Sequence, residues 1–190
     1  PKVKGISKIS VQTGTTHGGV PLPDGTIAEA KVDFNTLGTL SKVSREQYGM
    51  AGAGQHGAST LPEDAFHYFP EKETAEIHLA TGFQNMIYED PAFPGDLRKA
   101  VYDHLHKEHS DEKKEGQTEE QFIYKTRKKA FGPFKKQMWD LPDNVKGQIC
   151  EKLEKQFDFL FKQLAVTGTR DLVEKYISAP AVEVPMPNIR

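Results

Sequence analysis

The sequence predicts an α/β fold built on a parallel sheet, and three observations support this prediction. Short β-like runs alternate with segments of helical periodicity from residue 6 to residue 88. Three such strand–loop–helix units follow one another, which favours parallel strands joined by right-handed crossovers. The length of 190 residues is also enough for one ordinary domain.

The spacing of apolar residues and the flanking turn residues define each predicted element. In chain order we expect a strand over 6–13, a glycine-rich loop over 14–21, a turn at 23–25, a helix up to Gly49, a strand over 50–55, a loop around His56, a helix from Pro62, a strand over 74–81 and a helical turn over 83–88. Leu37, Leu40 and Val43 recur at helical spacing in the first helix. Ile77 and Leu79 alternate on one face of the third strand.

The second half of the chain is predicted to be helical. Its expected elements are an amphipathic helix over 96–109, a polar loop over 110–120, a basic helix over 122–139 broken at Gly132, a long helix over 145–166 and an extended proline-bearing tail over 179–187. The long helix carries its large apolar residues on one face: Ile149, Leu153, Phe157, Leu160, Phe161 and Leu164. We therefore divide the chain into 1–94, which holds the strand–loop–helix units, and 95–190, a C-terminal helical extension with its tail.

The composition argues against several classes of function. The net charge is −2 and the basic residues form no dominant stripe, so nothing indicates a nucleic-acid partner. No apolar run approaches the ~20 residues that span a bilayer, so we expect no membrane insertion. The single cysteine, Cys150, excludes an intrachain disulfide and suits a reducing, cytoplasmic compartment. We expect this cysteine to be buried beside the apolar face of the long helix.

Two histidines occupy equivalent positions in consecutive units. His17 and His56 each come directly before a glycine, just after a predicted strand. Ligands of parallel α/β folds bind beyond the carboxyl ends of the strands, so the two imidazoles should meet there. Paired imidazoles suit a divalent metal such as zinc, and the neighbouring glycines allow backbone N–H groups to approach an anion. The pattern therefore predicts a site for a metal and a phosphate.

The predicted sheet is too small to be a complete core. Three strands cannot close a barrel, and parallel sheets are normally covered on both faces. The first residues also lack a starting methionine and an apolar signal core. Unpaired strand edges at 6–12 and 74–81 would favour aggregation. We therefore expect a companion chain, or a larger β/α protein of which this is the C-terminal part.

Three sequence blocks together resemble one enzyme family. They are Gly-Thr-Thr-His-Gly at 14–18, His-Gly-Ala-Ser-Thr at 56–60 and Ile-His-Leu-Ala-Thr-Gly at 77–82. Their order and spacing are similar to those in the C-terminal half of the class II, metal-dependent fructose-bisphosphate and tagatose-bisphosphate aldolases. The resemblance runs from about residue 6 to residue 81, and more weakly to residue 166. It implies the C-terminal part of a (β/α)8 TIM barrel with additional C-terminal helices.

The resemblance also implies roles for individual residues. His17 and His56 correspond to two protein ligands of the catalytic zinc. The substrate phosphate would be held by Gly18, Gly57, Ser59 and Thr81. The family further implies a monovalent cation near these glycines, oligomers, and a phosphorylated ketose substrate of the dihydroxyacetone phosphate class. Zinc would then stabilise the enediolate formed when the carbon–carbon bond is cleaved.

The chain departs from the family pattern at several positions. His78 replaces the asparagine of the last strand, Ala80 replaces an acidic residue, and Ala58 replaces the second glycine of His-Gly-Gly. A lysine expected shortly after His17 is missing. The remaining zinc ligand and the catalytic aspartate belong to the N-terminal half of the family, which this sequence does not contain. The chain alone is therefore expected to be catalytically incomplete.

Several singled-out residues have a structural interpretation beside the functional one. His78 is our candidate catalytic residue, but a hydrogen-bonded histidine inside the barrel fits it equally well. The three histidines between 104 and 109 are better explained as part of a solvated helix than as a metal cluster. The lysines between 125 and 136 are predicted to form a solvated helix face, with a phosphate-facing role for one of them as the less favoured alternative.

Two classes of function remain open from the sequence. The first is a zinc-dependent aldolase of carbohydrate metabolism such as glycolysis, completed by a missing N-terminal half or companion chain and assembled as a homo-oligomer. The second is a non-catalytic subunit of the same fold that binds phospho-sugars or stabilises a partner. The changes at Ala58, His78 and Ala80, with the missing lysine, favour the second class.

Overall fold

Three short parallel strands form one sheet in the computed structural model, which describes residues 6–16, 18–178, 181 and 183. The strands are β1 (Ile9–Val11), β2 (Ala53–Gln55) and β3 (Glu76–Ile77), and their order in the sheet is β1–β2–β3. The predicted α/β class and the parallel pairing are therefore confirmed. The sheet as described is open, and the (β/α)8 barrel implied by the family resemblance stays a prediction.

Helices account for most of the remaining regular structure. They are α1 (Phe34–Tyr48), α2 (Tyr68–Glu71), α3 (Thr81–Tyr88), α4 (Gly95–His109), α5 (Glu119–Thr126), α6 (Lys135–Trp139), α7 (Asp143–Gln163) and α8 (Arg170–Tyr176). Three 3-10 segments, Glu63–Ala65, Ser110–Glu112 and Arg127–Phe131, lie between them. Within the described ranges, no helix combines the length and the apolarity needed to cross a bilayer.

The strands are shorter than predicted. Parallel hydrogen bonds nevertheless continue past their ends, since the His56 N–H donates to the Val11 carbonyl at 3.0 Å and the His78 N–H to the Gln55 carbonyl at 3.0 Å. Both outer strands, β1 and β3, pair only with β2 in the described part of the chain, which limits how far a regular ladder extends. The predicted ranges 6–13, 50–55 and 74–81 therefore contain the strands together with extended flanks.

Helix α1 lies where the spacing of apolar residues predicted a helix. Both of its ends are set by local chemistry. The Asp33 carboxylate accepts from the backbone N–H groups of Asn35 and Thr36, which satisfies orphan donors at the first turn. At the other end, Gly49 adopts φ 65° and closes the helix as a left-handed cap. Leu37 is fully buried on the side that faces the sheet.

Other parts of the helical prediction need correction. The helix expected from Pro62 is a 3-10 turn followed by the four-residue α2. The basic helix is broken at Gly132 as predicted, but its first part already changes from α to 3-10 geometry at Arg127. Helix α8 was not predicted. Most of the proline-bearing tail over 179–187 lies outside the described residues.

Helix α7 divides its apolar face between two hydrophobic clusters. Ile149 and Leu153 belong to the cluster beneath α4 and α5, whereas Leu160 packs with Leu37 and Ala53 in the cluster against the sheet. Phe157 and Phe161, from the same face, remain 43% and 48% exposed. Cys150 is exposed, so the prediction of its burial is wrong: it follows the buried Ile149 by one residue and lies on the outer side of the helix.

An ion pair joins α7 to the segment between α3 and α4. The Asp90 carboxylate is only 2% exposed and lies 2.6 Å from the Lys152 ammonium. Asp90 also accepts from the Ala92 N–H at 2.8 Å. The hydrogen bond from Lys152 is the main reason that the pKa of Asp90 is below its ordinary value of 3.8.

We predict that Asp90→Asn lowers the free energy of unfolding by about 1–3 kcal/mol at neutral pH, because the charged hydrogen bond is lost. A depressed carboxyl pKa stabilises the fold above its ordinary value and loses this contribution as pH falls through the folded value. The difference between wild type and variant should therefore shrink below about pH 4. Urea unfolding across pH measures it.

Asp158→Asn is the matched control for this prediction. Asp158 pairs with Lys162 on the same helix, but both side chains are more than half exposed. Loss of such a surface pair should cost less than about 0.5 kcal/mol. Equal effects of the two variants would contradict the structural role assigned to Asp90.

Candidate functional site

The carboxyl ends of β2 and β3 bring two histidines together. His56 directly follows β2, and His78 directly follows β3. The last residues of the two strands, Gln55 and Ile77, are partners in the parallel register. The two imidazole rings stack with their centroids 4.2 Å apart and their planes 15° from parallel. Parallel register thus places the residues after the strands side by side, as the sequence predicts for strand ends.

His17, the other predicted metal ligand, lies outside the described residues. Of its two neighbours, Gly18 lines the same cleft as His56 and His78, and Thr16 lines an adjoining cavity that Gly18 also borders. His56 is partly buried at this cleft. The predicted pairing of His17 with His56 therefore stays a prediction.

The imidazole of His78 is held by residues of the sheet itself. Its Nε2 is hydrogen-bonded to Glu76, and Glu76 also forms an ion pair with Lys8 of the segment preceding β1. The sequence analysis did not identify Glu76 or Lys8. The signal was available for Glu76, because residues two apart in a strand share one face. A carboxylate two residues before a strand-end histidine can orient its ring.

Four predicted phosphate-binding residues line one cleft of about 410 Å³. They are Gly18, Gly57, Ser59 and Thr81, and the same cleft is lined by His56, His78, Leu79, Ala80, Gln84 and Lys128. No acidic residue lines this cleft among the described part of the chain. The cleft therefore offers a neutral to positive environment to a ligand.

The loops around this cleft are packed too closely for ordinary side chains. Gly57 has φ +73°, and a Cβ there would lie 2.7 Å from the Thr15 hydroxyl. A Cβ on Gly82, in the first turn of α3, would lie 2.8 Å from the Ser59 carbonyl. The Ser59 hydroxyl also accepts from the Ala80 N–H at 2.8 Å. Backbone groups of adjacent loops thus form the wall of the cleft.

Ala58, His78 and Ala80, the three residues that differ from the pattern of the resembled family, lie in different surroundings. Ala58 is fully buried and packs in the cluster against the sheet with Leu37 and Phe66. Its methyl group therefore fills the core and does not line the cleft. Ala80 and His78 do line the cleft, so these two changes alter its chemistry.

A buried amide fixes the loops that follow β1 and β2. The Gln55 side chain is fully buried, accepts from the Thr13 hydroxyl at 2.9 Å and donates to the Thr15 hydroxyl at 3.0 Å. It also donates to the His56 carbonyl at 2.8 Å. Because this network satisfies polar groups of both loops, it fixes the backbone at Thr13 and Thr15 relative to that at His56.

Helix α5 holds the glycine-rich loop from the other side. The Tyr124 hydroxyl donates to the Gly18 carbonyl at 2.9 Å, and the Gln121 amide donates to the Pro21 carbonyl at 2.7 Å. These contacts join residues more than ninety positions apart in the sequence. The helical extension therefore contributes directly to the cleft, which the sequence analysis did not predict.

The described residues do not by themselves make a complete zinc site. No group of three histidine, cysteine, aspartate or glutamate side chains with metal-binding geometry occurs among them. His56 provides one imidazole at the cleft, while the ring of His78 is engaged by Glu76. A structural or catalytic zinc needs at least three protein ligands, so His17 and a donor from elsewhere would have to join His56.

We predict that Gln55→Met lowers the free energy of unfolding by about 1–3 kcal/mol, because Thr13 and the strand-end loops lose their buried partner. The same variant should weaken binding of any anion in the cleft. Chemical denaturation measures the first effect, and calorimetric titration with inorganic phosphate measures the second.

Gln137→Met provides the control for this substitution. Gln137 is exposed on α6, away from the cleft, so its replacement should change the free energy of unfolding by less than about 0.5 kcal/mol. If Gln55→Met were equally harmless, the amide network would not be what positions the loops.

Comparison with known proteins adds no relative to this picture. No family model matches the sequence, and no curated protein or solved structure does so either. The function proposed next therefore rests on the cleft residues and on the sequence motifs described above.

Proposed function

We propose that this chain is part of a metal-dependent aldolase, which cleaves or forms a carbon–carbon bond in a ketose phosphate or bisphosphate. The observation that carries the proposal is the convergence of three motif blocks on one cleft. His56 and Gly57 come from the second block, His78 and Thr81 from the third, and Gly18 from the first. Sequence resemblance and spatial arrangement therefore favour the same residues.

The anion end of the cleft supports a phosphorylated substrate. Gly18 and Gly57 have φ angles of +80° and +73°, conformations that expose backbone N–H groups in concave anion-binding turns. Helix α3 begins at Thr81, and no side chain caps its first turn. A phosphate bound there would accept from these N–H groups and from the hydroxyls of Ser59 and Thr81. Binding by this end would fix which carbon of the sugar reaches the histidines.

The histidine end supplies polar groups for the reacting part of the substrate. A divalent ion held by His56, His17 and a further donor would supply positive charge for the oxygens on which negative charge develops. The hydrogen bond between Glu76 and Nε2 of His78 fixes the orientation of an imidazole ring that lines the cleft. His78 thereby orients the ketose while the phosphate end anchors it.

A non-catalytic phospho-sugar-binding or partner-stabilising subunit is the second candidate. It is favoured by the two departures that face the cleft, His78 and Ala80, since both replace groups that the resembled family uses on its substrate. In that case the anion end would bind ligand without a metal. Ala58 does not support this candidate, because its methyl group lies in the core.

Zinc binding separates the two candidates. We predict that the metal-free chain binds Zn²⁺, and that His56→Ala weakens this binding by about 100-fold or more, because a direct ligand is lost. His67→Ala is the control, since the side chain of His67 is 42% exposed on a different loop. Calorimetric titration gives the affinities, and release of triose phosphate from a ketose bisphosphate reports cleavage.

Phosphate binding that is independent of zinc and of His56, without cleavage, would instead support the non-catalytic candidate. The cleavage assay is carried out on the chain in the assembly in which it is isolated. It is repeated after addition of the companion if one co-purifies.

Assembly provides a further prediction. Strands β1 and β3 each have one edge without a strand partner in the described structure, and Ser10 is exposed on the sheet face that it shares with Gly54 and Glu76. We predict that the chain is stable only with a companion or as an oligomer. Light scattering combined with thermal unfolding tests this, and a compact monomer with a sharp cooperative transition would contradict it.

A further inference from the structure

The cleft continues beyond the histidines into a second compartment of about 400 Å³. This outer compartment is lined by Thr16, by residues 18–21 of the glycine-rich loop, and by Tyr124 and Lys125. Gly18, Thr81, Gln84 and Lys128 line both compartments and therefore form their common wall. Among the residues of this wall, Lys128 is the one that carries a charge.

The backbone around Lys128 is anchored by a buried arginine. The Arg127 side chain is 6% exposed, pairs with Glu89 at 2.8 Å and donates to Asn85 at 2.6 Å. The Tyr88 hydroxyl donates to the Arg127 carbonyl at 3.1 Å, and burial raises the pKa of Tyr88 to about 12, so this donor stays protonated. These contacts of Arg127 hold the backbone of the next residue, Lys128, at the edge of the cleft.

Lys125 and Lys128 form no ion pair in the described structure, and of the two only Lys128 lines both compartments. Lys129 pairs with Glu112, and Lys113 pairs with Glu119. In the described ranges, no carboxylate lies within ion-pair distance of Lys128. An exposed ammonium beside uncapped N–H groups attracts an anion without first having to break an ion pair.

We propose that Lys128 is a substrate-binding residue, which supplies the positive charge for the phosphate held by Gly18, Gly57, Ser59 and Thr81. This inference rests on the proposed function for the identity of the substrate. It assigns to this site a preference for dianionic phosphate over uncharged sugars. The predicted solvated face over 125–136 therefore contains one lysine with a specific role, the alternative that the sequence analysis favoured less.

Lys128→Met in the full chain tests the inference, with Lys135→Met as its matched control. Lys135 is also exposed, but it begins α6 and lines neither compartment. Titration with inorganic phosphate and with dihydroxyacetone phosphate should show affinities about tenfold weaker for Lys128→Met, the loss expected for one charged hydrogen bond. Lys135→Met should stay within about twofold of wild type.

Two additional measurements distinguish a binding role from a structural one. Lys128→Arg keeps the charge and should restore phosphate affinity to within about threefold of wild type. Wild-type affinity should fall more steeply with added salt than that of Lys128→Met, because one screened charge has been removed. Unchanged thermal unfolding of the Met variant would confirm that its fold is intact.

The outcomes separate this inference from the proposed function. If Lys128→Met binds both phosphate compounds as tightly as wild type, the role of Lys128 is overturned, whether or not zinc binds at His56. If wild type binds neither compound, the inference is overturned as well. If phosphate binding depends on Lys128 but zinc binding fails, Lys128 is supported and the aldolase is not.

Discussion

The parallel register of three short strands is the constraint on which the rest of the site depends. Val11, Gln55 and Ile77 are neighbours across the sheet, so the residues that follow them emerge at one edge. The register alone therefore brings His56 next to His78, where their rings stack. The buried amide of Gln55, at the end of β2, then fixes the loop after β1 through hydrogen bonds with Thr13 and Thr15. A slip of β2 or of β3 by one residue would turn the imidazole that follows that strand to the opposite face of the sheet and separate the two rings.

The cleft also joins two parts of the chain that differ in composition. The strand ends provide glycines, hydroxyls and imidazoles, but none of their described residues that line the cleft is a lysine or an arginine. The 3-10 segment after helix α5 brings Lys128. Tyr124 and Gln121 of α5 donate hydrogen bonds to carbonyl groups of the glycine-rich loop. The lysine that the family resemblance implies after His17 is missing from the sequence, and the lysine that lines the cleft, Lys128, belongs to the 3-10 segment after α5.

Local chemistry explains how much of this could be predicted from the sequence. Helix α1 was predictable because its ends are encoded locally, by the capping residues Asp33 and Gly49 that flank it. The class of the sheet was predictable from the order of its units, whereas the strand lengths were not, since they depend on how many partners each strand has. Lys128 could not be assigned, because its position depends on packing by Arg127 rather than on any nearby motif. Glu76 could have been identified from the sequence, because residues two apart in a strand share one face and His78 follows it at that spacing.

The contacts between helix α5 and the glycine-rich loop have a consequence for the order of folding during synthesis. Gln121 and Pro21 are 100 positions apart, and Tyr124 and Gly18 are 106 apart. At a translation rate of about 5–20 residues per second, the loop would wait about 5–20 s for the helix that fastens it. During that interval the strand ends and their glycines are open to other chains and to chaperones. The cleft can therefore be completed only after helix α5 has been synthesised.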